Sequence, residues 1–312
     1  MKISIIIPVY NAGPFLSEAI KSINDNKTND HSFEIILIDD KSTDETTLML
    51  IRSLENDPDI RVIRQSINGG PAKARNAGIR AATGDWIGFL DADDLMAPGT
   101  MRNRIDVIKQ VPGARWILGD ILEMRRKNEL SHENHFAAIK NHGTEVAPDV
   151  YRLVRPTREM LNWSILPVLG AMLIHRDVFK NTGLLGEKLT YGEDIHFCLV
   201  LSRHADLYWM THACLYLRRH HESMTKDVFR GAQSMPKASL LLLKDKQFRQ
   251  FRKQLRWQHA ANLRTLSKSY IFHRNKFGAI VSAAAAIRWV PNDRRNFEAF
   301  KDSLLSPISF RS

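Results

Sequence analysis

Four short strand-like segments, three of them largely apolar and each followed by a break or a polar cluster, constrain this chain more than any other feature. Ile3–Ile7 is apolar apart from Ser4 and stops at Pro8. Glu34–Asp39 ends in carboxylates, Arg61–Arg64 leads into Asn68-Gly69-Gly70-Pro71, and Asp85–Leu90 ends in Asp91-Ala92-Asp93-Asp94. Near-continuous apolar strands of this length are buried on both faces, which is the habit of parallel sheets. Amphipathic stretches separate them. Phe15, Leu16, Ala19, Ile20 and Ile23 recur at helical spacing, a second stretch runs toward Leu54 from a cap at Ser42 or Thr43, and a third passes through Ala72, Ala74, Ala77 and Ile79. The β-α-β-α-β-α-β order predicts an α/β fold with a mostly parallel, doubly wound sheet. Ligands of such sheets bind beyond the carboxyl ends of the strands. Tyr10, Asp39 and Asp40, Asn68–Gly70 and Asp91–Asp94 all fall there.

With 312 residues, 44% apolar and 25% charged, the chain can bury a large core, and intrinsic disorder is excluded. Residues 115–235 are less regular. Within them, 125–160 reads as a long, mobile polar segment over the cleft, Val168–Ile174 as a strand and Gly192–Arg203 as an amphipathic helix. From Lys237 the pattern turns helical, with Phe248, Phe251, Leu255, His259, Asn262, Leu266 and Tyr270 forming a stripe. The predicted division is a catalytic domain over 1–236 and a basic amphipathic helical extension over 237–312. The net charge of +11 lies wholly in that extension, which holds 16 Lys/Arg against 4 Asp/Glu. No run approaches the length of a membrane span or a secretory signal. Cys198 and Cys214 have neither disulfide nor metal spacing, which points to a reducing compartment.

Asp91-Ala92-Asp93-Asp94 is the sharpest chemical signal. Carboxylates crowded at the end of a buried strand repel one another, and a hard divalent cation with oxygen ligands relieves that repulsion; a solvated acidic turn is the plain alternative. In Asp39-Asp40-Lys41-Ser42-Thr43-Asp44, the last three residues suit a helix N-terminus. Asp39 and Asp40 are left to accept hydrogen bonds from a base or ribose. Gly69 and Gly70, with Lys73 and Arg75 beyond, form either a nucleotide-approach loop or an ordinary turn. Gly192-Glu193-Asp194 before a helix, taken by itself, suits carboxylates that complement a helix dipole.

Together these segments resemble glycosyltransferase family 2, inverting enzymes of the GT-A fold. The resemblance rests on KISIIIPVYNAGPFLSEAIKSI and EIILIDDKST within Met1–Thr43, NGGPAKARNAG at Asn68–Gly78, GDWIGFLDADD at Gly84–Asp94, Gly192-Glu193-Asp194, and LRRHHESMT at Leu217–Thr225. It covers about residues 1–228 and implies a UDP-sugar donor with Mn2+ or Mg2+. Carried over by position, Pro8, Tyr10, Asp39 and Asp40 line the uracil and ribose pocket, and Lys73 reaches the base. Asp91 faces ribose or metal, Asp93 binds metal, and His220 approaches metal or diphosphate with Arg218 nearby. Asp194 is the general base and Glu193 shapes the acceptor side. Lys41 stands where the family carries glycine, Gly183-Leu184-Leu185-Gly186-Glu187 departs from the usual Gly-Phe-Asp-Glu form, and His221 competes with His220 for the donor.

The resemblance implies transfer to a saccharide acceptor, lipid-linked, in cell-surface polysaccharide or lipopolysaccharide assembly. The expected location is cytoplasmic, at the inner face of the membrane. The basic extension would meet an anionic membrane surface, or pack its stripe on the catalytic domain and leave its charges in solvent. No nucleic-acid partner is expected, since no base-reading motif occurs. The competing readings are a sugar nucleotidyltransferase, which would need a Gly- and Arg-rich loop where Asn11-Ala12-Gly13-Pro14 stands, and a nucleic-acid- or scaffold-binding protein on a degenerate nucleotide fold.

Overall fold

The computed structural model describes residues 1–28, 31–124, 129–131, 136–162, 168–219 and 228–306. The chain divides into two compact units, residues 1–187 with 197–220, and residues 188–196 with 221–312. The expected boundary at 236/237 falls inside the helix Val228–Lys244.

The first unit opens with the alternation seen in the sequence. β1 (Lys2–Val9), α1 (Phe15–Asn24), β2 (Ser32–Asp39), α2 (Glu45–Leu54), β3 (Ile60–Arg64), α3 (Pro71–Ala81) and β4 (Trp86–Phe89) follow in turn. β5 (Leu95–Met96), α4 (Thr100–Gln110), β6 (Trp116–Met124), β7 (Thr144–Ala147), β8 (Val150–Leu153), α5 (Thr157–Leu161), β9 (Met172–His175), α6 (Phe179–Thr182) and β10 (Leu207–Arg218) complete it, together with part of α7 (Glu193–Leu201). All ten strands form one sheet in the order β3-β2-β1-β4-β9-β6-β10-β8-β7, with β5 paired to β10. β1 to β4, β6, β7 and β10 run one way; β5, β8 and β9 oppose them. Isoleucines 3, 5, 6, 7, 35, 36 and 38 are wholly buried. Each such side chain contributes about 2 kcal/mol of hydrophobic stabilisation. Parallel register sets Val9 opposite Asp39 and Asp39 opposite Arg64, so the loops that follow share one edge of the sheet.

Three local expectations are corrected. The cap of α2 is Asp44, whose Oδ1 accepts the Thr47 N–H at 2.8 Å, rather than Ser42 or Thr43. Ser42 is held earlier, its N–H on Asp39 and its hydroxyl accepting from the Asn11 N–H, so the chain is still extended there. Residues 136–160 are not a loose span: Phe136 and Ile139 are buried, and β7 and β8 pair as a hairpin that extends the sheet through β10. The polar composition reflects an exposed edge strand, β7, and a neighbour, β8, that is only partly covered; residues 125–128 and 132–135 lie outside the described residues. The strand expected over Val168–Ile174 starts only at Met172, after a 3-10 turn Leu169–Ala171, and runs antiparallel between β4 and β6.

The second unit is helical: α8 (Val228–Lys244), a 3-10 turn Lys246–Phe251, α9 (Arg252–Phe272), α10 (Lys276–Trp289) and α11 (Arg294–Leu305). Its stripe packs inward. Phe248, Phe251, Leu255 and His259 are buried, and Ala260 and Leu263 meet Ala286 and Val290 across α9 and α10. His259 Nδ1 lies 2.8 Å from the Ser239 hydroxyl, and its ring meets Trp289 edge-on. Among the described residues, no helix is long and apolar enough to cross a membrane.

At the amino ends of the strands, Glu34 gathers the Ser4 hydroxyl, the Thr83 N–H and hydroxyl, the Gly84 N–H and the Lys2 ammonium. Burial raises its pKa, but these donors outweigh burial and bring it from 4.5 to about 2. A carboxyl with a depressed folded pKa stabilises above its unfolded value and loses that contribution as pH falls through its folded one. The melting temperature of Glu34→Gln should therefore fall below wild type by a constant gap above pH 4.5, and the gap should close toward pH 2. A gap indifferent to pH would contradict this role.

Candidate active site

The rim beyond β1 and β2 is built by carboxylates that accept backbone N–H groups. Asp39 Oδ1 takes the Ser42 N–H at 2.8 Å. Asp40 takes the Gly69 N–H on one oxygen at 2.8 Å and the Gly70 N–H on the other at 2.7 Å, so it spans from β2 to the loop before α3. Both carboxylates are buried. Gly70 has φ 82°, which L side chains adopt only with strain. Lys41, at the family's glycine position, also has positive φ, 66°, so this turn keeps the glycine conformation without the glycine. Asn11 closes the rim from β1: its Oδ1 accepts the Thr43 N–H at 2.8 Å. Tyr10 is 52% exposed beside it and Pro8 is half-buried. The Lys73 stem covers Gly69, where an added Cβ would stand 2.4 Å from its Cδ.

The acidic turn after β4 is held on two sides. Asp91 Oδ1 accepts from the buried Arg75 guanidinium at 2.6 Å. Asp94 is buried and takes the Arg218 N–H at 2.8 Å, which sews the turn to the end of β10. Burial, reinforced by the charges of Asp91 and Asp93, pushes the Asp94 carboxyl well above the usual range. The Arg218 side chain donates Nε–H to the Asp93 carbonyl at 2.9 Å, pairs with Glu18 at 2.6 Å and lies over the Phe15 ring. Arg218 is thus a clasp between α1, the acidic turn and β10.

Pro8, Tyr10, Asp39, Asp40, Lys73, Asp91, Asp93 and Arg218 all belong to the first unit and lie at or just beyond the carboxyl ends of its parallel strands, or in the first turn of the next helix. Among the described residues, no three His, Cys, Asp or Glu side chains gather as a metal cage. A Mg2+- or Mn2+-type site commonly uses one or two carboxylates and completes its shell with substrate phosphates. Burial and the charges of Asp91 and Asp93 crowd this turn and raise Asp94, and a cation beside the three carboxylates would relieve that crowding. The turn fits such an ion. His220, and His221 beside it, lie outside the described residues. A cavity of about 290 Å³ opens elsewhere in this unit, lined by Gly113, Arg115, Arg155, Asp206 and Tyr208 near the amino ends of β6 and β10.

Asp194 belongs to the second unit, in the first turn of α7, and its Oδ1 accepts the Ile195 N–H at 2.7 Å. Glu193 beside it is buried. The preceding chain is fastened to α8, where the Ser234 hydroxyl donates to the Tyr191 carbonyl at 2.7 Å. Tyr191 borders a cavity of about 230 Å³ with Gly231, Ala232, Met235 and Asn262. Burial raises the Tyr191 pKa, and the Asp194 and Glu193 charges add to it.

Residues 4–145 match the sequence model of glycosyl transferase family 2. The chain carries a family 2 glycosyltransferase domain. It is similar to the uncharacterized glycosyltransferase EpsJ of Bacillus subtilis, at 30% identity over 72% of this chain and 63% of that protein. The chain spans less than two thirds of the curated relatives it matches first. Its fold is that of residues 1–349 of Staphylococcus aureus TarS in complex with UDP-GlcNAc, with TM-score 0.68 at 18% identity, over 97% of this chain and 89% of that one. A mannosyltransferase of Pyrobaculum calidifontis in complex with GDP-Man and Mn2+ aligns with TM-score 0.58 at 17% identity, over 97% of this chain and 84% of that one. The expected GT-A architecture with a helical C-terminal region is therefore the observed one.

Sequence reasoning missed the residues that hold this transferase domain's rim. Asn76 donates to the Leu185 carbonyl at 2.9 Å and to Glu187 at 3.0 Å, and accepts the Leu185 N–H at 2.9 Å. It thereby pins the departing segment before Lys188. Its signal was legible, as a polar residue on the buried face shared by Ala72 and Ile79. Glu18 carried no comparable signal. Replacing Asp40 by Asn should leave one glycine N–H without its acceptor and lower unfolding free energy by about 1–3 kcal/mol in urea titration. An unchanged midpoint would show that Asp40 does not hold the loop.

Proposed function

We propose that this chain is an inverting glycosyltransferase that moves a sugar from UDP onto a saccharide acceptor, lipid-linked, in cell-surface polysaccharide or lipopolysaccharide assembly. The observation that carries the reading is the placement of the Asp91–Asp94 turn and the Asp40–Gly70 loop after parallel strands of one sheet. The names of relatives and fold neighbours support the donor class: TarS is named a poly(ribitol-phosphate) beta-N-acetylglucosaminyltransferase and is recorded with UDP-GlcNAc and UDP.

In this reading Tyr10, Pro8 and the Asp39–Asp40 rim receive uracil and ribose, and Lys73 reaches the base. Asp91 faces the ribose or metal. Asp93, with His220, would hold Mn2+ or Mg2+, which when bound neutralises charge on the diphosphate. Arg218 positions the turn and adds positive potential beside it. Asp194 accepts the proton of the acceptor hydroxyl, whose oxygen attacks the anomeric carbon. The bond from that carbon to the β-phosphate oxygen breaks, and its electron pair leaves with UDP. One displacement inverts the centre, so an α-linked donor gives a β-linked product. The basic second unit attracts the enzyme to an anionic membrane surface, where a lipid-linked acceptor resides.

Calorimetric titration with UDP tests the donor half. Binding should strengthen with Mn2+ and weaken about tenfold or more in Asp93→Ala. Asp194→Asn should keep UDP affinity and lose transfer by about 10²–10⁴-fold. UDP binding indifferent to both metal and Asp93, or full turnover in Asp194→Asn, would overturn these assignments.

A further inference from the structure

The second unit displays an apolar feature that the stripe does not explain. Phe248, Phe251, Leu255 and His259 are buried, so they cannot meet a membrane. Phe272 and Phe277, at the end of α9 and the start of α10, are instead 83% and 80% exposed. Val281, four residues after Phe277 and so on the same face of α10, is also exposed.

The turn that carries them is well braced. The Asn275 N–H bonds to the Tyr270 carbonyl at 2.8 Å, and the Asn275 side chain caps α10 by accepting the Gly278 N–H at 2.9 Å. The Phe229 ring packs on Tyr270 and on His273, at 5.8 and 4.1 Å between centroids. The Phe272 ring meets His273 edge-on at 5.2 Å between centroids and is thereby tied to this braced turn, while most of its surface stays in solvent.

Charge selects the partner. Residues 246–292 contain ten Lys/Arg and no Asp or Glu, and Lys268, Arg274 and Lys276 lie in or beside the turn. Rings flanked by cations match a bilayer interface, where the rings enter the acyl boundary and the cations meet anionic headgroups. Single-stranded nucleic acid also offers charge and stacking surfaces, but the aliphatic Val281 beside the rings favours lipid.

We propose that the turn between α9 and α10 is a membrane-docking wedge, with Phe272 and Phe277 inserted into an anionic bilayer. This deepens the membrane association proposed above and rests on it.

The full chain is sedimented with vesicles of phosphatidylcholine plus phosphatidylglycerol, and with phosphatidylcholine alone. Wild type should partition onto the mixed vesicles and be released by salt. The double variant Phe272→Ser, Phe277→Ser should bind them more weakly, by about tenfold per ring. Its melting temperature should match wild type, because both side chains are exposed. Lys268→Gln, Arg274→Gln and Lys276→Gln combined should weaken binding and flatten its salt dependence. Failure of wild type to bind either vesicle would overturn the membrane reading itself. Equal binding by wild type and the double phenylalanine variant would overturn the wedge alone. Binding of a single-stranded oligonucleotide that is lost in that variant, without vesicle binding by wild type, would assign the turn to nucleic acid instead.

Discussion

The Asp40 carboxylate, with an oxygen on each of the Gly69 and Gly70 N–H groups, is the contact on which the rim depends. A parallel sheet brings strand ends to one edge but does not order the loops that follow. Those loops carry backbone donors that helices and strands do not satisfy. Here buried carboxylates supply the acceptors, Asp39 for Ser42, Asp40 for the glycine pair and Asp94 for Arg218. Charge-assisted bonds of this type are stronger than neutral ones, and they give irregular chain the definition a ligand site needs.

The same economy explains the acidic turn. Asp91, Asp93 and Asp94 stand close enough for repulsion to raise Asp94, yet Arg75 and Arg218 approach from two sides. Arg218 reaches the turn because β5, which follows the turn, pairs with β10, Leu95 opposite Tyr216 and Met96 opposite Leu215, and Arg218 extends the connection to Glu18 on α1. The turn is therefore fixed by elements far apart in sequence. Its geometry is a product of the fold rather than of the Asp-Ala-Asp-Asp string.

The strands β1 to β4 and the helices between them were legible because local pattern and burial coincide. Ile3–Ile7 and Glu34–Asp39 admit little besides buried strands. That Asp39 and Asp40 also accept backbone N–H groups was not legible, since a carboxylate that does so looks like any other in sequence. β9 was recognised as a strand, but its antiparallel direction is set by β4 and β6 on either side. The β7–β8 hairpin was hidden by the polar residues that an edge strand shows to water. The phenylalanine stripe was found, and its burial in the helical unit depends on partners such as Ala286 and Val290 that periodicity does not identify.

Amide hydrogen exchange with and without UDP and Mn2+ reports directly on whether this rim is where a nucleotide binds. Protection is expected at Tyr10–Asn11, Lys41–Asp44, Gly69–Gly70 and Asp91–Asp94. Protection confined instead to Gly113–Arg115 and His204–Tyr208, around the cavity near the opposite strand ends, would contradict the assignment of the rim as the donor site.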